Sequence, residues 1–308
     1  MYPKISIITP SFNQGQFIEK TILSILNQNY PNLEFIIIDG GSTDNTIDVI
    51  KKFEKHLKYW VSELDQGQSD AINKGLKFAT GEIINWLNSD DYLEDGVLFK
   101  IANDFISNNI DILCGYSILI TQNGIIEKRT SKMGGNFAQF ISQGHVMQPS
   151  TYFKMNIFKE FAPLETSLHY MMDHYIWLQY ICKYGTSKVK YVDYKISNVL
   201  VHPDAKSFKM ISLFKEDKEI IYSSLFKSIS LKWIYPRNTK IKQLPFNTAS
   251  EQIKIHYSLI NFLLVIEVLF NRDPMGNRGR INVKILFLLL FYFPKFSMLY
   301  IFNKLKIK

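Results

Sequence analysis

An apolar run at residues 83–87 drops directly into Asn88, Ser89, Asp90 and Asp91. A buried strand that ends in carboxylates presents hard oxygen ligands at its carboxyl end, where open α/β sheets hold their ligands. Oxygen donors suit Mg²⁺ or Mn²⁺, and such ions usually arrive with a substrate's phosphates. The same Ser-Asp-Asp can equally cap a following helix, so the stretch alone supports two readings: a metal and nucleotide site, or a cap. Other polar groups recur in the same context. Residues 33–38, apolar apart from Glu34, end at Asp39, followed by Gly40-Gly41-Ser42-Thr43-Asp44, a turn whose glycines permit close backbone approach or positive φ. Residues 4–9 run into Thr9-Pro10-Ser11-Phe12-Asn13, and residues 58–62 into a polar loop with Asp65 and Gln68.

The elements that must position these groups alternate. Strands are expected over 4–9, 33–38, 58–62 and 83–87, and helices over 15–27, 46–53, 71–78 and 95–108. The first helix shows Phe17, Ile18, Ile22, Leu23, Ile25 and Leu26 at helical spacing. Repeated β-α units indicate an open, mostly parallel sheet with helices on both faces. All strand carboxyl ends then lie on one edge. One strand-end Asp more often caps a helix, whereas several on one edge favour a nucleotide site. Neither a Gly-Lys-Ser/Thr phosphate loop nor Gly-x-Gly-x-x-Gly follows the first strand, so phosphate charge has to be met by a metal near Asp90 and Asp91.

Four ordered segments, I-S-I-I-T-P-S-F-N from Ile5, I-I-I-D-G-G-S-T-D-N-T from Ile36, S-E-L-D-Q-G-Q-S-D-A-I-N-K-G from Ser62 and A-T-G-E-I-I-N-W-L-N-S-D-D from Ala79, resemble the family 2 glycosyltransferases in order and spacing. The resemblance is close over residues 4–93 and looser to about residue 205. It implies a GT-A fold, with an open, mostly parallel twisted sheet, and inverting transfer from a nucleotide-activated sugar, UDP-linked. By the same resemblance Thr9, Pro10, Ser11 and Asn13 wrap the base and ribose, and Asp39 hydrogen-bonds the uracil. Asp65 and Gln68 border the base and donor sugar, and Asn73 matches an Asn of the following helix. Asn88-Ser89-Asp90 stands in place of the family's Asp-x-Asp. Asp90 is then the ligand of Mn²⁺ or Mg²⁺, Asn88 a ribose contact without charge, and Asp91 a helix cap.

In the second half, residues 111–121 and 125–130 flank Gln122-Asn123-Gly124 as a hairpin, and Gly134-Gly135 marks a loop. Residues 146–153, with Gln148-Pro149-Ser150-Thr151, resemble the family's acceptor-side segment. A helix is expected from residue 171 to about 184. The resemblance makes Asp173, at its start, the general base. Inverting displacement needs a base opposite the leaving diphosphate, and a metal on Asp90 would neutralise that leaving group. The plainer alternative is an Asp interacting with the helix dipole. Residues 199–207 resemble a late family segment whose His completes the metal site or contacts the diphosphate. His202 takes that place, with Leu200 where the family has Arg and Lys206 near the phosphates. His169 and His174 receive no role.

The 308 residues divide, on this reading, into a nucleotide-sugar-binding half (1–110), an acceptor-side half of the same domain (111–205) and a basic, apolar helical region (206–308). The net charge is +8, yet residues 206–308 carry 18 Lys/Arg against 6 Asp/Glu, leaving −4 on residues 1–205. A basic tail suits an anionic surface. No nucleic-acid motif accompanies it. The apolar run 285–293 has nine residues, against the roughly 20 that span a bilayer. Lys284 and Lys295 bracket it, as in helices lying in a membrane interface. The alternative is a helical subdomain packed on the catalytic domain. Cys114 and Cys182 are too few and too distant for a disulfide framework, and no signal peptide precedes the first strand. A cytoplasmic protein on the inner face of the cell membrane is expected, acting on a glycan or lipid-linked acceptor. A sugar-phosphate nucleotidyltransferase would need a Gly-rich, basic loop after the first strand, but residues 9–17 hold one Gly and no Lys or Arg. A non-catalytic sugar-nucleotide-binding or membrane scaffold would not need both Asp90 and Asp173.

Overall fold

Period-two alternation along the first strands decides the layers. Ile5, Ile7, Phe35, Ile37 and Ile83 pack into one core, and Ile8, Ile36, Ile38, Ile84 and Trp86 into another on the opposite face. Both faces of these strands are therefore covered, as a parallel sheet requires. A computed structural model of the chain describes residues 1–121, 124–131, 145–202, 205, 211–228 and 242–246.

The described elements are β1 (Ile5–Ser11), α1 (Ile18–Leu26), β2 (Leu33–Asp39), α2 (Thr46–Lys52), β3 (Tyr59–Ser62), α3 (Gln68–Leu76), β4 (Ile83–Trp86), β5 (Tyr92–Leu93), α4 (Val97–Ser107), β6 (Ile112–Thr121), β7 (Gly124–Thr130), β8 (Thr151–Lys154), α5 (Met155–Lys159), α6 (Met172–Tyr184), β9 (Val189–Leu200) and α7 (Ile211–Ser228). They form one sheet in the order β3-β2-β1-β4-β8-β6-β9-β5, with β7 paired to β6. The parallel character expected from the sequence holds for β3-β2-β1-β4 and for β6-β9; β8 enters antiparallel between β4 and β6, and β5 and β7 also pair antiparallel. Hairpin and return connections in the second half produce this change.

Helices α1, α2 and α4 cover one face; α3, α5, α6 and α7 share the core of the other. Ile221, Tyr222 and Leu225 of α7 lie in the same core as Trp177 of α6. The described part of the C-terminal region thus packs on the catalytic domain. The apolar stretches at 258–270 and 285–293, the Gly134-Gly135 loop and Lys206 lie outside the described residues. No described helix is long and apolar enough to cross a membrane.

Helix α3 approaches the sheet closely at Gly75, where a Cβ would stand 2.7 Å from Ile8 Cγ2. Gly75→Ala should push α3 off β1 and lower stability by about 1–3 kcal/mol, the usual cost of overpacking. A thermal melt checks this, and an unchanged melting temperature would contradict the close packing.

Candidate active site

The end of β1 supplies Thr9 and Ser11, both buried, and neither hydroxyl oxygen has a hydrogen-bond partner among the described residues. A buried hydroxyl left unpartnered costs free energy, so this pair suits a polar guest. Pro10 lies between them within the strand. Asn13 follows in the left-handed region, φ +51°. Its N–H donates to Ser42 Oγ at 2.7 Å, and its Oδ1 accepts from Thr43 N–H at 2.9 Å. Asn13 therefore stitches the β1 loop to the β2 loop.

Asp39 is fully buried at the end of β2. Its Oδ2 accepts from the N–H of Gly41 (3.2 Å) and Ser42 (2.8 Å) and from Ser62 Oγ (2.6 Å), while Oδ1 accepts from Ser42 Oγ (2.5 Å). The carboxylate organises the glycine turn and ties β2 to β3. A Cβ at Gly40 would meet Asp65 Oδ2 at 2.7 Å, so a larger residue there would displace the Asp65 side chain. Asp65 is held above the ordinary carboxylate range by burial, with Asp70 and Asp39 adding repulsion. Phe12 and Leu64, 57% and 84% exposed, leave an aromatic and an aliphatic surface on the loops that follow β1 and β3.

Gln68 Nε2 donates to Asn88 Oδ1 at 2.6 Å, and Asn88 Nδ2 donates to Asp91 Oδ2 at 3.3 Å. Asn88 thus bridges the start of α3 to the acidic turn. Asn73 reaches from α3 to the backbone of Leu164. Its Nδ2 donates to Leu164 O (2.9 Å) and its Oδ1 accepts from Leu164 N–H (2.7 Å), so both ends of the amide anchor the loop ahead of α6.

The acidic turn is clamped from α1. Thr21 Oγ1 lies 2.9 Å from Ser89 O and 2.6 Å from Asp91 O, holding Asp90 between two fixed carbonyls. Asp91 is not a helix cap, since β5 intervenes and α4 begins at Val97 behind Gly96. It is 3% exposed. Burial, and then the charge of Asp90, push its carboxyl well above the usual range, against the bonds from Asn88 and the Leu200 backbone. Asp90 faces His202, with Oδ2 3.1 Å from Nε2. The His202 ring is buried and lies against Phe17, centroids 4.5 Å apart.

This hydrogen-bonded pair is also compatible with a divalent ion. A separation of 3.1 Å matches the ~3.0 Å edge of an octahedron with ~2.1 Å bonds. No set of three His, Cys, Asp or Glu that could hold a metal occurs among the described residues, so further ligands would be water or a substrate's oxygens.

Asp173 lies in the first turn of α6 and is partly buried. Its Oδ1 accepts from His174 N–H at 2.7 Å. Burial raises its carboxyl to about 6, with Asp217 of α7 adding repulsion. His174 points away, its Nε2 3.0 Å from Tyr222 Oη. Burial brings it down to about 4, so it stays neutral.

A family model, Glycosyl transferase family 2, matches residues 6–178. The chain belongs to this family. It is a glycosyltransferase, and its mixed sheet has the GT-A fold. An uncharacterized glycosyltransferase of Rickettsia typhi is 25% identical over 280 residues, 88% of this chain and 81% of that protein. The β-1,3-glucosyltransferase WfgD of Escherichia coli, named for UDP-Glc and α-D-GlcNAc-diphosphoundecaprenol, is 34% identical over 125 residues, 40% of this chain and 49% of the relative. The match to an uncharacterized Haemophilus influenzae glycosyltransferase spans 44% of that protein, so these shorter matches cover less than half of each relative. Among solved structures, S. aureus TarS 1-349 in complex with UDP superposes with a TM-score of 0.54 at 17% identity, covering 85% of this chain and 80% of that one. Glucosyl-3-phosphoglycerate synthase of Mycobacterium tuberculosis, in complex with Mn²⁺ and UDP, gives 0.52 at 16% identity, covering 77% and 82%.

Two residues that touch the candidate site escaped the sequence pattern. Thr21 and Phe17 sit among the apolar positions at the start of α1 and read there as helix-face residues. The signal available was a lone polar residue, Thr21, on the buried stripe of α1. His202→Ala should weaken Mn²⁺ binding in the presence of UDP by roughly tenfold or more in calorimetric titration. Unchanged affinity would remove His202 from the site.

Proposed function

We propose that this chain is an inverting transferase that moves a sugar from a UDP-sugar to a glycan or lipid-linked acceptor at the inner face of the cell membrane, in cell-envelope polysaccharide assembly. One observation carries the reading: Asp90 and His202, 112 residues apart in the chain, stand 3.1 Å apart beside the acidic turn that ends β4. That turn shares its sheet edge with the unpartnered hydroxyls of Thr9 and Ser11.

Support for the donor class comes from structural neighbours with UDP, with UDP-GlcNAc, and with Mn²⁺ and UDP together. Support for a lipid-linked acceptor comes from relatives named for undecaprenol-linked substrates in Escherichia coli and Campylobacter jejuni. The basic composition of residues 206–308 fits an anionic membrane surface.

On this reading the base and ribose of the donor sit at the carboxyl ends of β1 and β2. Thr9 and Ser11 bond the donor, Asn13 and Asp39 shape the pocket, and Asp65 and Gln68 border it from the β3 loop. Asn88 and Ser89 line the turn beside the ribose. Asp90 and His202 would hold Mn²⁺ or Mg²⁺, which when bound neutralises charge on the leaving diphosphate. Asp173 takes the proton from the acceptor hydroxyl. The acceptor oxygen bonds the anomeric carbon from the face opposite the diphosphate, and the bond to the diphosphate breaks with its electron pair. Burial suits Asp173 to this work, because a carboxylate raised to about 6 is a better proton acceptor near neutrality than an ordinary Asp.

The base must be ionised, so kcat/KM should fall as pH drops through about 6, where Asp173 takes up its proton. Asp173→Asn should lower transfer by at least about a hundredfold while UDP-sugar binding stays near wild type. Parallel loss of binding and transfer would contradict the base assignment. If purified protein with Mn²⁺ neither binds nor hydrolyses any member of a nucleotide-sugar panel, the functional reading itself fails.

A further inference from the structure

Helix α7 carries a buried carboxylate that the chemistry above does not use. Asp217 is 3% exposed. Its Oδ2 accepts from the backbone N–H of Tyr170 at 2.6 Å and of Met171 at 2.9 Å. Met171 is the N-cap residue of α6, and no side chain of its own caps the helix. Without an acceptor these two donors would be left unsatisfied in a partly buried turn, an expensive state. Asp217 therefore does from another helix what the N3 carboxylate of a capping box does locally, accepting from the N-cap N–H. Its negative charge also sits at the favourable end of the α6 dipole. Asp173 follows two residues after Met171.

The loop ahead of α6 is held from two sides. On the donor side Asn73 grips Leu164, and Ser69 Oγ lies 3.5 Å from Leu168 O. From the C-terminal side Lys242 Nζ donates to Glu165 Oε1 (2.7 Å) and Ser167 Oγ (3.0 Å), and Tyr175 Oη donates to Pro245 O (2.6 Å). Leu244 N–H in turn donates to Ser224 Oγ of α7 (2.9 Å). Among these contacts, that of Asp217 falls on the backbone immediately before Asp173 and also brings a charge.

We propose that Asp217 is a positioning residue for sugar transfer: it fixes the backbone at Tyr170 and Met171 and thereby sets where the Asp173 carboxylate stands on the acceptor side. The inference rests on Asp173 being the base. It gives the C-terminal region a part in the reaction distinct from any attachment to a surface. The charge of Asp217 has a second effect, because it adds to burial in raising Asp173. His174, the neighbouring titratable group, is kept neutral by burial and by Lys218 of α7.

The full chain, Asp217→Ala and Asp217→Asn are compared for donor binding and for transfer from pH 5 to 9, with amide exchange at Tyr170 and Met171. Asp217→Ala should lower kcat by roughly ten- to a hundredfold, the cost of a misplaced catalytic group, with donor KM within about twofold and faster exchange at both amides. Asn keeps an oxygen that can accept both N–H groups. Asp217→Asn should therefore restore kcat at pH 8 to within about threefold of wild type, while the acid limb moves to lower pH because a like charge is gone. Wild-type kcat in Asp217→Ala overturns the inference. So does equal loss in both variants with an unmoved acid limb, the mark of a purely structural residue. Should the Ala variant not fold, the acid limb of Asp217→Asn decides. A wild-type chain that transfers from no donor overturns the functional reading and this inference with it; a transferring wild type with unaffected variants overturns the inference alone.

Discussion

Strand β1 pairs in parallel with β2 on one side and β4 on the other, and the rest of the site depends on that register. Ser11 lies opposite Asp39, and Ile8 opposite Trp86, with Leu87 N–H donating to Ile8 O. Three chain segments consequently turn polar on one edge. Alternating isoleucines on β1 and β2 lock the register, because a slip of one residue would exchange the two cores that cover the sheet. Polar residues at the strand ends are then free to be shaped by loops instead of by core packing.

Those loops are held by side chains acting on backbone. Asp39 gathers four donors from the glycine turn and from Ser62, Asn13 ties two loops together, and Thr21 clamps both carbonyls that flank Asp90. Much of the polar chemistry at this edge thus maintains shape. Among the described residues, the hydroxyls of Thr9 and Ser11 remain unpartnered, and Asp90 and His202 bond each other. Two adjacent carboxylates also divide their work by environment. Asp91 is buried and pushed up, while Asp90 keeps 19% of its side chain exposed.

The acceptor side is built differently. The proposed base, Asp173, lies at the start of a helix whose approach loop is gripped from α3 and from the C-terminal segment. Helix α7 shares the core of α6, which makes it part of the catalytic domain's packing. Helix α7 carries three Lys against three Asp/Glu, so the basic excess of residues 206–308 lies outside it.

By itself the sequence determined the alternation of strands and helices over residues 4–108, the shared edge at strand ends, and the four ordered motifs that mark the family. These are short-range properties: apolar period, turn chemistry and spacing are written within each segment. It also singled out Asp90, Asp173 and His202 as residue types fit for the work. Tertiary structure alone decided which groups meet. Asp90 finds His202 across 112 residues, Asp91 turns inward ahead of a two-residue strand instead of capping a helix, and Asn73 faces Leu164. Antiparallel insertion of β8 and the trans-capping by Asp217 were equally invisible in the chain order. The physical reason is common to all of them: a hydrogen bond is set by distance and direction in space, and packing from both faces of the sheet fixes those only after the whole domain has assembled.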